Sequence, residues 1–149
     1  MALLLFYLFL ALSVSFLCSV MEAVLLSTPV SYLRSLKAGG KKGADRLHRL
    51  KQNIDKPLSA ILSLNTVAHT VGAAGVGAQA VKVFGEVYFG LVSAVLTILI
   101  LVLTEIIPKT IGARYSRRLV AVSGSVIRGM VILTYPLVVI SAMITRLIS

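Results

Sequence analysis

Three long apolar runs with almost no charge decide what this chain can fold into. Residues 2 to 27 contain no Lys, Arg or Asp and a single Glu, residues 57 to 81 contain no charge unless His69 is protonated, and residues 87 to 104 contain none. At a rise of about 1.5 Å per residue, each run can cross a hydrocarbon core of roughly 30 Å as a helix. In hydrocarbon a segment must satisfy its own backbone hydrogen bonds, and the α-helix does so unaided. With 58% apolar residues over 149 positions and a mean hydropathy of +0.97, the composition excludes an ordinary soluble domain. The sequence predicts an all-α integral membrane domain over residues 1–149 with three transmembrane helices, at about 3–27, 57–80 and 87–108. The first run lacks a basic start and carries polar residues at helical spacing, so it reads as a span and not as a cleaved leader.

The net charge of +10 raises the question of nucleic acid, and the placement of the basic residues answers it. Eight lie between the first two spans (Arg34, Lys37, Lys41, Lys42, Arg46, Arg49, Lys51 and Lys56), four follow the third (Lys109, Arg114, Arg117 and Arg118), and Lys82 alone separates the second from the third. This is the positive-inside pattern of a multi-pass cell-membrane protein with its amino terminus outside and both basic segments in the cytoplasm. Attraction to anionic membrane lipid accounts for the charge, and no nucleic-acid partner is expected.

Residues 31–56 place Tyr32, Leu33, Leu36, Leu47, Leu50 and Ile54 among the basic residues, as in a bent amphipathic juxtamembrane helix interrupted by Gly39-Gly40 and Gly43. The second span ends in glycines and alanines four apart, such as Ala68 with Gly72, a face for close helix packing. Residues 114–148 are expected to form juxtamembrane helices. The uncharged stretch from Gly129 to Thr145 is short for a span and contains Pro136; an interfacial or bent pair is preferred to a fourth crossing. Cys18 is alone, which excludes a disulfide or thiolate cluster within the chain, and reads as a small buried apolar residue.

The polar groups inside these runs carry the chemistry. At the end of the third run, Thr104-Glu105-Ile106-Ile107-Pro108-Lys109-Thr110 sets a carboxylate beside a helix breaker. Pro108 has no amide hydrogen to give the carbonyl four residues back, which frees an oxygen at Thr104 next to Glu105. Oxygen donors of two kinds are what a hard cation requires, and broken helices at membrane depth are where transporters place such sites. Ser15, Ser19 and Glu22 share one face of the first helix. In the second, Asn65 and His69 share a face. Ser63 lies some two hundred degrees from Asn65, so both reach one ion only if that helix is distorted. Asn65 is the favoured ligand, because an amide oxygen suits magnesium or sodium. His69 reads more readily as a hydrogen-bonded packing residue than as a ligand, since no second His or Cys stands near it for zinc. No GxSxG, HExxH or paired-aspartate pattern occurs, and the chain is not expected to be an enzyme.

These residues resemble the transmembrane domain shared by the CorC and CNNM magnesium transporters, over essentially the whole chain. Phe16 to Ala23 resembles the family's serine-and-glutamate motif, Leu64 to His69 its asparagine motif, and Glu105 to Arg114 closely resembles its Glu-x-x-Pro-Lys-Thr signature. Met21, Thr66 and His69 stand where many relatives carry Ser or Asn. The resemblance implies three membrane helices with a juxtamembrane belt, a homodimer, and an ion cavity open to the cytoplasm. It also implies that this chain is a membrane-domain fragment of a protein that continues into an acidic helical bundle and cystathionine-beta-synthase-type regulatory domains.

The expected function is magnesium transport with ligands at Glu105, Asn65 and Ser19, with Ser15 and Ser63 as weaker candidates, and with sodium as a candidate coupling ion. The alternative is a non-transporting anchor and sensor in which Glu105 pairs with Lys109 at i,i+4.

Overall fold

The computed structural model describes residues 1–148. Among these the regular structure is entirely helical. The first rod, α1 (Ala2–Ser27), ends where Thr28 turns extended ahead of Pro29, as a residue before proline prefers. Two short helices follow, α2 (Val30–Ala38) and α3 (Lys42–Gln52), then the second rod α4 (Asp55–Phe84). Gly85, at φ +86°, breaks α4 with a conformation open mainly to glycine. The third rod is composite: a 3₁₀ turn at Glu86–Tyr88, α5 (Phe89–Ile100), a π-helical turn at Leu101–Ile106 and α6 (Ile107–Arg114). Finally come α7 (Ser116–Leu133) and α8 (Tyr135–Ile148).

The rods at 2–27, 55–84 and 86–114 are each long and apolar enough to cross a membrane. The second begins slightly before the sequence-based boundary, and the third continues without a break through Lys109 to Arg114. The interruption of the basic connection is confined to the turn at Gly39 to Lys41, where Gly40 has φ +78°. Gly43 was expected to extend that break and instead lies in the first turn of α3. It serves close packing: a Cβ there would stand 2.6 Å from Ala121 Cα of α7.

The main core sits at the basic end of the bundle. There Leu25 of α1, Leu33 of α2, Leu47 of α3, Ile61 of α4 and Ile127 of α7 are fully buried against one another's elements. Lys51 of α3 donates to the carbonyl of Thr28 at 2.5 Å, satisfying an orphan acceptor at the end of α1. Burial pushes the Lys51 ammonium below its ordinary range. A smaller cluster of Leu4, Val76 and Ala80 closes the opposite end.

The bend between α7 and α8 is 76°. Lys56, in the first turn of α4, lies 5.5 Å from the centre of the Tyr135 ring at that bend. Since α7 starts just after α6 ends, both ends of α7 lie on the basic side. The 14 residues of α8 extend about 21 Å, short of a hydrocarbon core of roughly 30 Å. The pair is long and apolar enough for a span only when its two helices are taken together, so the described residues hold three straight candidate crossings and a fourth if the bent pair is one span.

Close approach of α6 to α1 depends on Gly112, where a Cβ would stand 2.6 Å from the Val20 carbonyl oxygen and 2.7 Å from Ala23 Cβ. Gly112→Ala should lower the melting temperature of the purified protein by an amount equivalent to about 1–3 kcal/mol, the usual cost of overpacking. Gly90→Ala, which meets nothing within 4 Å, should leave it unchanged or raise it. Equal behaviour of the two variants would show that α6 and α1 are not in contact at Gly112.

Candidate ion site

Three helix faces with the same spacing meet inside the bundle. On α1 the residues are Ser15, Ser19 and Glu22; on α4 they are Asn65, His69 and Gly72; on the third rod they are Glu105, Lys109 and Gly112. Each set falls at i, i+4, i+7 and so shares one side of its helix. Ser15 and Ser19 are fully buried and Asn65 nearly so. Ser15, Asn65 and Glu105 lie about 14 to 18 Å from the basic-side ends of their rods at 1.5 Å per residue, near half the depth of a bilayer core.

The side chains form a connected chain of hydrogen bonds. Ser15 Oγ donates to Asn65 Oδ1 at 2.5 Å, and Asn65 Nδ2 donates to Glu105 Oε1 at 3.1 Å. His69 Nε2 also contacts Ser15 Oγ and stands 3.2 Å from Thr104 Oγ1. The Ser15 hydroxyl has one hydrogen, already directed to Asn65, so His69 Nε2 is assigned as the donor to Ser15. Thr104 Oγ1 donates to the Ile100 carbonyl at 2.6 Å and is fully buried. Its position belongs to the π-helical turn, which widens the helix just before Pro108, where the chain has no amide hydrogen to give.

The charge is held by Lys109. Its Nζ lies 2.9 Å from Glu105 Oε2 and 3.5 Å from Glu22 Oε2, so one ammonium serves two carboxylates on different helices. Both oxygens of Glu105 are thus engaged, one by an amide and one by a cation. Ser19 Oγ, between Ser15 and Glu22 on α1, is buried with no hydrogen-bond partner among the described residues. A buried hydroxyl with its lone pairs unused is an oxygen available to a ligand. Among the described residues no three His, Cys, Asp or Glu side chains gather to hold a metal. A cation here would take hydroxyl and amide oxygens with one carboxylate.

Of the residues selected from sequence, the structure links Ser15 to Glu105 through Asn65 and places Ser19 on the same face of α1 as Ser15. Ser63 stays outside. It is half-buried on an undistorted α4, on a side away from Asn65, and has no hydrogen bond to the cluster among the described residues. Sequence reasoning did not place the hydroxyl of Thr104 in the site, gave His69 a packing role, and did not link Lys109 to Glu22. The i, i+4, i+7 spacing of Asn65, His69 and Gly72 was a usable signal for His69. Nothing in the sequence marks the π-helical turn that turns Thr104 inward.

Fold and site together define a polytopic helical membrane domain with a polar, ionisable cluster at bilayer depth. Residues 5–149 match the family described as the cyclin M transmembrane N-terminal domain, CNNM, and the chain belongs to that family. It is 33% identical over 138 residues to a UPF0053 protein of Synechocystis sp., covering 93% of this chain and 40% of that relative. It is 28% identical over 116 residues to the UPF0053 inner membrane protein YfjD of Escherichia coli, covering 78% of this chain and 27% of that one. The chain thus spans less than half the length of these relatives, and it is a membrane protein of the CorC/CNNM type.

The two serines should respond in opposite ways to loss of their hydroxyls. Ser15→Ala strands Asn65 Oδ1, leaves His69 Nε2 with Thr104 Oγ1 alone, and should cost about 1–3 kcal/mol of stability, the penalty for an unsatisfied buried polar group. Ser19→Ala removes an unpartnered oxygen and should be neutral or stabilising in magnesium-free buffer. Thermal unfolding of both variants checks this, and a Ser19→Ala loss as large as that of Ser15→Ala would mean that Ser19 is bonded within the protein.

Proposed function

We propose that this domain carries a divalent cation, magnesium in the first place, across the membrane through the cluster of Ser15, Ser19, Asn65, Thr104 and Glu105. The observation that carries the reading is the sharing of Lys109 between Glu105 and Glu22. A carboxylate at bilayer depth needs a counter-cation, and here that cation is tethered to the chain and has a second carboxylate within reach. In this reading, Lys109 moves to Glu22 as a cation arrives, the Asn65 amide turns its oxygen inward, and Glu105 becomes the charged ligand. Magnesium sheds water reluctantly, so with one carboxylate and neutral oxygens it keeps part of its shell and binds weakly enough to leave. Sodium fits the same neutral oxygens, which makes it the candidate coupling ion. The basic segments lie in the cytoplasm and the amino terminus outside, by the distribution of Lys and Arg. A homodimer, and cystathionine-beta-synthase-type domains elsewhere in the full-length protein, complete the proposed assembly.

The 2.9 Å pair of Glu105 with Lys109 equally favours a second reading, in which the pair is permanent and the domain is an anchor and sensor. Magnesium flux into proteoliposomes, with and without a sodium gradient, separates the two. Transport predicts flux that Glu105→Ala abolishes, and magnesium stabilisation of the wild type approaching about 1.4 kcal/mol at ten times Kd, also lost in the variant. Normal flux through Glu105→Ala would sink the assignment.

Lys109→Met sharpens the distinction. Removing the tethered competitor should lower stability without magnesium and strengthen the response to it. Under the anchor reading the variant is destabilised and magnesium does not restore it.

A further inference from the structure

A polar pocket lies away from the ion site, on the basic side between α3 and α7. Six cations line it: Lys37, Lys41, Lys42, Arg46, Arg49 and Arg128. The one carboxylate there, Asp45, pairs with Lys37 at 3.1 Å and with Arg49 at 3.2 Å. Lys37 holds the Asp45 carboxyl below its ordinary range, so this clasp stays ionised. Among the described residues the other four cations form no ion pair with a carboxylate. Arg46 donates to the neutral Ser125 Oγ at 2.6 Å, which orients its guanidinium without neutralising it. The cavity measures about 340 Å³, within the roughly 300–1,000 Å³ of small-ligand sites.

We propose that this pocket binds the headgroup of an anionic phospholipid with two phosphates, of the cardiolipin type. The excess of cations matches more than one phosphate, and Arg and Lys side chains favour phosphate oxygens through charge-assisted hydrogen bonds. The surroundings favour a lipid over a soluble anion. Ile132 lies one turn beyond Arg128 on the same face of α7 and is 66% exposed, with Leu133 beside it 71% exposed. Acyl chains attached to a headgroup in the pocket would run along this apolar surface. The walls of the pocket are closely packed: α3 and α7 approach at Gly43 and Gly124, and a Cβ on Gly124 would stand 2.9 Å from Arg46 Cβ.

Thermal unfolding of the full chain in neutral detergent tests the proposal, titrated with cardiolipin, phosphatidylglycerol, phosphatidylcholine or pyrophosphate. Lys42→Gln/Arg128→Gln removes two exposed, unpaired pocket cations and should preserve the lipid-free melting temperature. Arg34→Gln/Arg114→Gln removes the same charge outside the pocket. Cardiolipin should raise the melting temperature saturably, and the pocket variant should need about thirtyfold more, the equivalent of about 1 kcal/mol for each basic residue lost. The control variant should titrate like the wild type. Equal weakening in both variants would show diffuse surface attraction and overturn the proposal. So would the absence of any cardiolipin shift, the full shift from pyrophosphate alone, or an equal shift from phosphatidylglycerol at the same phosphate concentration.

Discussion

The cost of placing Glu105 at bilayer depth governs much of this structure. An ionised carboxylate near the centre of a membrane helix is penalised by about 2.5–3.5 kcal/mol on insertion scales. The chain offsets that penalty one turn further on, with Lys109 at i+4, and shares the same ammonium with Glu22 of α1. The sharing works because α6 lies against α1, and α6 lies against α1 because Gly112 has no side chain. Gly112, Lys109 and Glu105 stand on one face. Packing and charge are thus solved by a single stripe of sequence.

The same economy recurs on α4. Gly72 meets Ala11 of α1, and one and two turns back along the same face His69 and Asn65 reach Ser15, one turn further along α1. In a membrane there is no hydrophobic drive to press helices together, so close backbone approach and interhelical hydrogen bonds must do it. Small residues set the distance and polar residues fix the register. A substitution that widens either contact would separate oxygens from Glu105 even though it touches none of them.

Much of this was legible in the sequence because lipid is a demanding solvent. Charge-free runs of sufficient length leave few alternatives to helices, and the spacing of Ser15, Ser19 and Glu22 already placed them on one face. The carboxylate at Glu105 stood out because it is expensive. Ser63 was a weaker candidate that needed a distorted α4, and α4 is regular. The π-helical turn at Leu101–Ile106 was not legible, because Pro108 states that a hydrogen bond is missing without stating how the helix closes the gap. That turn brings the Thr104 hydroxyl inward as well as leaving its carbonyl beside Glu105. The break in the basic connection was overextended for a related reason. A glycine that permits a turn and a glycine that permits contact look alike until the partner, here Ala121, is known.

Lys109 is too well placed between two carboxylates to be understood from either one alone. A single positive charge shared between Glu105 and Glu22, nearer Glu105, leaves their sum uncompensated by one unit, whereas a divalent cation at Glu105 with Lys109 on Glu22 would neutralise the pair and leave one positive charge over. Lys109 reaches both carboxylates from its one place on α6, so the position of α6 sets how the ammonium is shared. On one side α6 joins the π-helical turn, whose looser hydrogen bonding can take up rotation. On the other it joins α7 through Tyr115 alone, and α7 carries one wall of the basic pocket. The helix that carries Lys109 and the helix that carries Arg128 are therefore joined through a single residue. If the proposals for both sites hold, a headgroup that clamps α7 to α3 would restrain α6 and so act on Lys109 from a distance.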